Sequence, residues 1–593
     1  DGVEDMLGIC GASADTVAAR NFARVVAAGS ASHTDHAREM VRGFLDTARG
    51  HGPHQIKDTE KLKSLAAVFD IETEGREIKD IAIELGEKAM AEFGKQENTP
   101  LSMLKRATPK RQALWKKLNI FPRGIDREVV EMMHRTHMGV DHDYENIMLQ
   151  ASRCALSDGW GSSMLSTELT DIMFGTPVPR RAIVDLGSLK EDQVNICVHG
   201  HEPLLAESLC LAAQEQDMLD LAKKNGAAGI NLVGVCCTGN EILMRRGIPV
   251  AAGFIQQEIV LSTGAVEAMV GDVQCLMPSI ADVASNFHTD IITTNYRAKM
   301  PGAVHIQFEE EQALESAKQI LSHAIKKFKK RGKFFIPKET KMDVVVGFSH
   351  ETINTMLGGR FRASYRPLND NIINGRIRGV AAIVGCDNFQ LGDNTHEIIV
   401  RELLKNNILV LATGCAATSL GRAGLVNPEA ARFCGDSLRE VCEAVGMPPV
   451  LHMGSCVDTS RILIAATEMV RQRSNAEMPV VTPSLASIET VKAVCIASVW
   501  LRLIGSSPSA FTRTRVSARQ MSPRPCIAMK LIALGVAICA GIMRSPSFSR
   551  SSSSTRIYIR PLRASSMIAS IGTMTGLSSC SSRNRVSFAS VSA

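Results

Sequence analysis

Six segments of the sequence place cysteine or histidine at or near the end of an apolar run, and together these side chains could bind a soft metal. The segments are VHGH with His199 and His201, GVCCTGNE with Cys236 and Cys237, DVQCLMPS with Cys275, VGCDN with Cys386, TGCAAT with Cys415 and GSCVD with Cys456. Thiolates combined with one imidazole suit iron–sulfur chemistry or a thiophilic metal, not magnesium or calcium. Metal ligation is therefore favoured for this set of residues taken together.

A cysteine alone in an apolar stretch is more often a small buried hydrophobic residue. That interpretation applies to the cysteines outside the recurring pattern, which are Cys154, Cys197, Cys210, Cys434 and Cys442. For any single member of the recurring set, the interpretation as a buried packing residue would also compete with metal ligation. The recurrence of the pattern is what favours a metal site.

The elements that must position these side chains are short apolar strands that alternate with helices from about residue 180 onward. The predicted strands lie in INLVGVCC, IPVAAGFI, MDVVVGF, GVAAIVGC, NILVLATGC and PVLHMGSC. Continuous apolar strands separated by helices indicate parallel sheets covered on both faces. Ligands bind such sheets outside the carboxyl ends of the strands, where the recurring cysteines lie.

The domain organisation follows from the change of period along the chain. Residues 1–179 carry apolar residues at three- and four-residue spacing, which predicts a helical domain. A basic helix that ends near residue 330 separates two α/β units, 180–330 and 331–505, of which we expect the second to be incomplete. Residues 506–593 are expected to be a non-native or disordered tail.

Composition excludes several classes of protein. The 593 residues are 45% hydrophobic and hold 16 cysteines, with no C-x-x-C pair and no signal peptide pattern, so we expect a reducing compartment and more than one core. The longest apolar run, 531–543, is too short to span a bilayer. A cytoplasmic protein without a membrane span is predicted.

The net charge of +6 is unevenly distributed. Residues 490–593 contain 14 basic residues and no acidic one, which leaves 53 basic and 61 acidic residues before them. The serine- and arginine-rich tail could be a disordered arm that binds nucleic acid, or it could be non-native sequence from a shifted reading frame. We favour the second interpretation and predict no nucleic-acid partner. Within it, KAVCIASVWLRLIG keeps helical spacing and predicts a packed helix near 489–504.

Seven motifs carry a resemblance to a known family over about residues 1–497. They are SRCALSDGWGSSMLSTELTDIMFGTP, HGHEPLLAE, GINLVGVCCTGNEILMRRGIP, VGDVQCLMPS, NDNIINGRIRGVAAIVGCDN, LATGCAATSLG and GSCVDTSRI. In this order and spacing they resemble the catalytic subunit of the anaerobic nickel–iron–sulfur carbon monoxide dehydrogenase. The resemblance implies an α/β fold with a helical amino-terminal domain and two Rossmann-like parallel-sheet domains. It also implies a homodimer that oxidises CO with water to CO2, protons and electrons.

The resemblance also implies roles for individual residues. His201 and Cys237 would hold an iron outside a cubane, Cys275, Cys386 and Cys415 the irons of the cubane, and Cys456 the nickel. Cys236 competes with Cys237; the 38-residue step from Cys237 to Cys275 favours Cys237, and Cys236 is then expected to point to the other side of the chain.

Three further residues match family positions around the reacting carbon. His33 corresponds to the proton acceptor, Lys492 to the cation that stabilises the developing carboxylate, and Ile496 to a wall of the CO pocket. Without the resemblance, His33 and His36 would be interpreted as a satisfied histidine pair on one helix face, since they are three residues apart.

The resemblance implies partners as well as a site. The family passes its electrons through 4Fe-4S relay clusters to a ferredoxin-like carrier, and some members associate with an acetyl-CoA synthase subunit. Only Cys10 remains here of the segment that ligates the relay, so we expect that this chain alone does not complete those clusters. Two alternatives stay open: a hybrid-cluster, hydroxylamine reductase-like enzyme without nickel, and a truncated, inactive iron–sulfur homologue that acts as a binding or structural protein.

Overall fold

The computed structural model describes residues 7–8, 10–356, 365–386 and 395–474, all within the compact unit Asp1–Ser545. Its amino-terminal region is helical, as predicted: α1 (Ala14–Arg49), α2 (Thr59–Val68), α3 (Ile78–Gly94), α4 (Pro109–Lys117), α5 (Ile125–Arg135), α6 (Tyr144–Ser157) and α7 (Ser163–Phe174). A π-helical turn, Asp158–Ser162, joins α6 directly to α7. The predicted helix near 489–504 and the tail 506–593 lie outside the described residues.

Helix α1 is the long central helix of this region. It begins at Ser13, whose hydroxyl accepts a hydrogen bond from the backbone N–H of Thr16, and it ends at Gly50, which adopts a left-handed conformation with φ of 86°. Met40 and Phe44 of α1 are fully buried against Leu85 of α3 in one hydrophobic core. The helix therefore forms the base on which the rest of the helical region packs.

Two α/β halves follow the helical region. The first half contains β1 (Arg180–Val184), β2 (Gln193–Gly200), α8 (Pro203–Ala212), α9 (Gln216–Lys224), β3 (Gly229–Val235), α10 (Cys236–Arg246), β4 (Val250–Ala252), α11 (Gln257–Ser262), β5 (Ala268–Gly271), α12 (Ser279–Ala284), β6 (Asp290–Thr293), β7 (Val304–His305) and α13 (Ala313–Lys327). The second half contains β8 (Met342–Val346), α14 (His350–Met356), α15 (Arg366–Ile373), β9 (Gly379–Val384), α16 (Thr395–Lys405), β10 (Ile408–Thr413), α17 (Gly414–Arg422), α18 (Asp436–Val445), β11 (Val450–His452) and α19 (Thr459–Ser474). The six predicted strand segments correspond to β3, β4 and β8–β11.

The strands of both halves form one sheet, in the order β7-β6-β5-β2-β3-β4-β1-β8-β11-β10-β9. Within each half the neighbouring strands are parallel, whereas β1 and β8 pair antiparallel from Arg180 opposite Val346 to Val184 opposite Met342. The sequence predicts two parallel-sheet units, and the structure joins them edge to edge through this antiparallel pair. The domain boundaries at 179, 330 and 505 stay predictions.

Burial explains why the strands read as continuous apolar runs. All six residues of β10 are buried, because helices cover both faces of the sheet. Among the helices of the described residues, none is long and apolar enough to cross a membrane.

Candidate metal centre

The predicted ligands follow the carboxyl ends of strands in both halves of the sheet. From the first half come His201 after β2, Cys237 in the first turn of α10 after β3, and Cys275 after β5. From the second half come Cys386 after β9, Cys415 in the first turn of α17 after β10, and Cys456 after β11. Within each half the strands are parallel, so its three candidate ligands follow neighbouring carboxyl ends. The two halves run in opposite directions across β1 and β8, and the segments after the strands bring the two sets of three side chains together.

The structure brings these side chains together. The ligand atoms of His201, Cys237 and Cys456 all lie within 4.8 Å of one another. The sulfur of Cys275 lies 3.9 Å from Nε2 of His201, and the thiol of Cys386 is within hydrogen-bonding reach of Cys275 and Cys456. These five residues thus form a continuous group of soft donors.

Cys415 and Cys236 complete the group on one side. The Cys415 sulfur accepts a hydrogen bond from the backbone N–H of Phe254 at 3.3 Å. The Cys236 thiol is fully buried and lies against Cys275 and Cys415. The expectation that Cys236 points away from the site is therefore wrong. The left-handed backbone of Cys236, with φ of 58°, turns its side chain towards the same group as its neighbour Cys237.

Backbone strain accompanies the ligands. Seven non-glycine residues of the described chain have positive φ, and Cys236, Gln274 and Cys275 are three of them. Left-handed conformations cost free energy for residues with a Cβ atom and persist where the surroundings fix them, often at functional sites. The loops that hold the ligands are thus fixed by packing, not by local preference.

Hydrogen bonds among the thiols divide them into acceptors and donors. The Cys456 thiol donates to Cys237, which lowers the pKa of Cys237 to about 5; burial opposes this shift and His201 assists it. Thiols of Cys236 and Cys386 donate to Cys275 and hold its pKa well below the usual value. The environment thus shifts both sulfurs towards the thiolate, the form in which cysteine binds metals.

The pKa of His201 depends on these two sulfurs. Burial disfavours its charged form, but the adjacent Cys237 and Cys275 outweigh burial and raise its pKa well above the usual value. Its Nδ1 atom is buried without a hydrogen-bond partner among the described residues. The thiolates and the imidazole are thus mutually stabilised in positions from which they could all bind one metal group.

His33 lies in α1 and pairs with a carboxylate that sequence reasoning did not single out. Its Nδ1 atom is 3.1 Å from both carboxylate oxygens of Asp158, and the hydroxyl of Ser163 donates to Asp158 at 2.6 Å. Asp158 is fully buried and opens the π-helical turn, a distortion that often marks functional sites. A carboxylate at Nδ1 fixes the tautomer of His33 and leaves Nε2 for proton exchange.

The neighbouring His36 is also buried, and it interacts electrostatically with both His33 and His201. Neither ring nitrogen of His36 has a hydrogen-bond partner among the described residues, so the interpretation as a satisfied histidine pair is wrong for His36. His36 lines a cavity of about 400 Å³ together with Glu39 and Glu202. The loop of Cys275 reaches this helix, because the Gln274 amide donates to the carbonyl of Ser32 at 2.9 Å.

The remaining candidates are placed as follows. Cys10 is exposed and belongs to no group of metal-ligating side chains among the described residues. Lys492 and Ile496 lie outside the described residues. The cysteines interpreted as packing residues are all buried, as that interpretation predicts: Cys154, Cys197, Cys210, Cys434 and Cys442.

Fold and site together define a class of protein in which thiols at the carboxyl ends of a largely parallel sheet form a candidate metal centre beside a helical region. Comparison with known proteins gives the family. Residues 3–517 match the Prismane/CO dehydrogenase family, and the chain belongs to it.

Curated relatives cover most of the chain. Carbon monoxide dehydrogenase 1 of Methanosarcina mazei is 50% identical over 468 residues, which is 78% of this chain and 74% of the relative. The carbon monoxide dehydrogenase/acetyl-CoA synthase subunit beta of Moorella thermoacetica is 40% identical over 520 residues, 84% of this chain and 76% of the relative.

A solved structure agrees with the sequence comparison. An as-isolated, nickel-free carbon monoxide dehydrogenase from Thermococcus sp. AM4 superimposes with a TM-score of 0.78 at 47% identity. The superposition covers 80% of this chain and 75% of that one.

Proposed function

We propose that this chain oxidises CO with water to CO2, protons and electrons, and that it does so reversibly at a nickel–iron–sulfur cluster. The observation that carries the proposal is the convergence of His201, Cys237, Cys275, Cys386, Cys415 and Cys456 into one group of soft donors. Relatives named carbon monoxide dehydrogenase, at up to 50% identity, support the same activity.

The donors fit such a group. They are thiols with one imidazole, hydrogen bonds lower the pKa of two of the sulfurs, and the sulfurs of Cys237 and Cys456 are close enough to share a metal group. His201 and Cys237 would hold the outer iron, Cys275, Cys386 and Cys415 the cubane irons, and Cys456 the nickel. When bound, the cluster supplies an open position for CO, an activated water and a store for the two electrons.

His33 is the residue proposed to take up a proton. Asp158 accepts the hydrogen bond from Nδ1–H, so His33 receives the proton at Nε2 and the buried carboxylate stabilises the resulting imidazolium. His36, which interacts electrostatically with His33, lines the cavity of about 400 Å³. Lys492 and Ile496 are proposed, by the resemblance, to stabilise the carboxylate and to shape the CO pocket.

Assembly and partners extend the proposal. We infer a homodimer in an anaerobic cytoplasm, with a ferredoxin-like protein as electron acceptor and Cys10 as part of the relay to it. An acetyl-CoA synthase subunit is a further candidate partner. One relative and one solved structure carry both activities in their names. That structure, an acetyl-CoA synthase/carbon monoxide dehydrogenase, superimposes on this chain with a TM-score of 0.79 at 39% identity, and the superposition covers 85% of this chain and 76% of that one.

The test is to purify the chain anaerobically, measure nickel and iron, and assay CO-dependent reduction of a low-potential dye. We expect stoichiometric nickel and CO-dependent activity. Iron without nickel uptake or CO-dependent activity, even after nickel is supplied to the reduced protein, would favour the hybrid-cluster alternative, and a metal-free folded chain would favour the inactive homologue. Either result would contradict the proposal.

A further inference from the structure

The loop that presents Cys456 has an acceptor for each backbone N–H from Gly454 to Cys456. The N–H of Gly454 donates to Nδ1 of His452 at 3.2 Å, that of Ser455 to Asp458 at 2.8 Å, and that of Cys456 to the Cys237 sulfur at 3.3 Å. This short loop is therefore held by side chains on both sides of the thiol that it carries.

Asp458 is packed directly beneath the loop. Gly454 has a φ of 124°, and a Cβ atom at that position would lie 2.1 Å from the Asp458 carboxylate. The same carboxylate also accepts a hydrogen bond from the Ser455 hydroxyl at 3.2 Å. The loop can take this path only because glycine leaves room for Asp458.

The second oxygen of Asp458 is anchored in a buried ion network. Arg461, which is fully buried, donates from Nε to Asp458 at 3.0 Å and from both terminal nitrogens to Asp171 at 2.7 and 2.9 Å. The Asp171 carboxylate of α7 also accepts hydrogen bonds from Lys61 and Arg245, each at 2.6 Å. The position of Asp458 is thus fixed by charges from α2, α7, α10 and α19.

The same network connects the Cys456 loop to the helix that carries Cys237. The hydroxyl of Ser455 donates to Glu241 of α10 at 2.5 Å, and Glu241 pairs with Arg245 of the same helix. Glu241 lies one helical turn after Cys237. Loop and helix are therefore held at a fixed separation by groups that touch neither sulfur.

We propose that Asp458 is a positioning residue that holds the Cys456 thiol beside Cys237. The inference rests on the proposed function, because there Cys456 is the ligand of nickel. Loss of a residue that orients a metal ligand typically weakens metal binding about 10- to 100-fold. The loss should be confined to nickel, because the five ligands assigned to iron are carried by other segments of the chain.

The test compares Asp458→Asn with the wild-type chain, both purified anaerobically. The substitution keeps the side-chain volume and removes the charge that pairs with Arg461. We expect nickel retention against a chelator to fall about 10- to 100-fold, with iron content per chain unchanged. The electron paramagnetic resonance signal of the cluster should change accordingly.

Glu267→Gln is the matched control. Glu267 is fully buried, pairs with Arg331 through two contacts of 2.7 Å, and accepts the backbone N–H of Asn195 at 2.6 Å. It precedes β5, at the amino ends of the strands and away from the ligands. This variant should lose stability and keep its nickel.

Ser455→Ala provides a second measurement if Asp458→Asn does not fold, because it removes both hydroxyl contacts and leaves the ion network in place. We expect a smaller, nickel-specific loss. Three results would overturn this inference and leave the proposed function standing. They are unchanged nickel retention in a folded variant, equal loss of nickel and iron, and nickel loss in Glu267→Gln. A wild-type chain with iron that binds no nickel, even when nickel is supplied to the reduced protein, would overturn the proposed function and this inference with it.

Discussion

At the scale of single residues, the metal centre depends on the separate environments of chemically identical thiols. Cys237 and Cys275 accept hydrogen bonds that lower their pKa values, whereas donation to Cys237 and Cys386, together with burial, raises the pKa of Cys456 well above its usual value. Because each sulfur is held by a different loop, we expect the substitution of one thiol to affect one metal more than the other.

Cys456→Ala should lose nickel and keep most of its iron, since only this thiolate is assigned to nickel. The measurement is nickel and iron content per folded chain after anaerobic purification. Cys210→Ala is the control, because Cys210 is buried in α8 outside the site. Equal loss of both metals in Cys456→Ala would show that the assignment of nickel to this residue is wrong.

His33→Ala should lower kcat by about 10²- to 10⁴-fold, the usual contribution of a positioned general base. The metal content should not change, because His33 is not an assigned ligand. His137→Ala, which changes an exposed histidine after α5, should leave kcat unaltered. A His33→Ala variant with wild-type kcat would contradict the proposed proton uptake.

The grouping of the candidate ligands was predictable because residue type and position after a strand coincide in the sequence. Asp158 was not, because its role depends on the π-helical turn that places it against His33, 125 residues away. The Asp171 network was hidden for the same reason, since Arg461 is 290 residues from its partner. Pairing over such distances leaves no local pattern.

At the scale of elements, the strands and helices follow the sequence pattern closely, and the pairing of β1 with β8 does not. Apolar runs that precede cysteine predicted β3 and β9–β11 because those strands are largely buried on both faces. The antiparallel pair lies between strands more than 150 residues apart, and either strand could equally well have been the edge of a separate sheet.

The contact between α1 and the 3₁₀ turn Glu310–Gln312 gives a prediction about pH. Burial, together with repulsion by and hydrogen bonding to Glu39 of α1, raises the pKa of Glu310 from 4.5 to about 8. The folded chain therefore binds a proton that the unfolded chain has already lost, and stability falls as pH rises from about 4.5 to about 8.

Glu310→Gln should remove this loss, because glutamine does not titrate. Between about pH 4.5 and pH 8 the stability of the wild type should fall while that of the variant stays level, so the difference between the two proteins should shift progressively in favour of the variant. The measurement is the denaturation midpoint of both proteins across that range of pH. Glu311→Gln, at an exposed position of the same turn, should follow the wild-type curve. If the denaturation midpoints of Glu310→Gln and the wild type changed in parallel with pH, the pKa of Glu310 would not be raised.

At the scale of the whole molecule, the candidate metal centre is shared between the two halves of the sheet. Each half contributes three of the six proposed ligands, so a bound cluster would connect both halves through the segments that follow their strands. A group that binds only the folded chain stabilises it, by about 4 kcal/mol when it is present at a thousand times its Kd.

Removal of the metals under anaerobic conditions should therefore lower Tm by several degrees. The shift should be measured by thermal unfolding with and without a chelator. A chain in which Cys275 and Cys386, one from each half, are both replaced by alanine should show a lower Tm and no further response to the chelator. An unchanged Tm in the wild type would mean that the group does not connect the halves.

The antiparallel pair of β1 and β8 makes the covalent connection between the halves dispensable once the chain has folded. Residues 332–335 between α13 and β8 are exposed, and a protease that cuts after Lys333 would sever the backbone there. The ladder from Arg180 to Val184 would still join the two pieces. The nicked protein should migrate as one particle until it is denatured, and two separately synthesised polypeptides divided at this point should assemble into the same sheet.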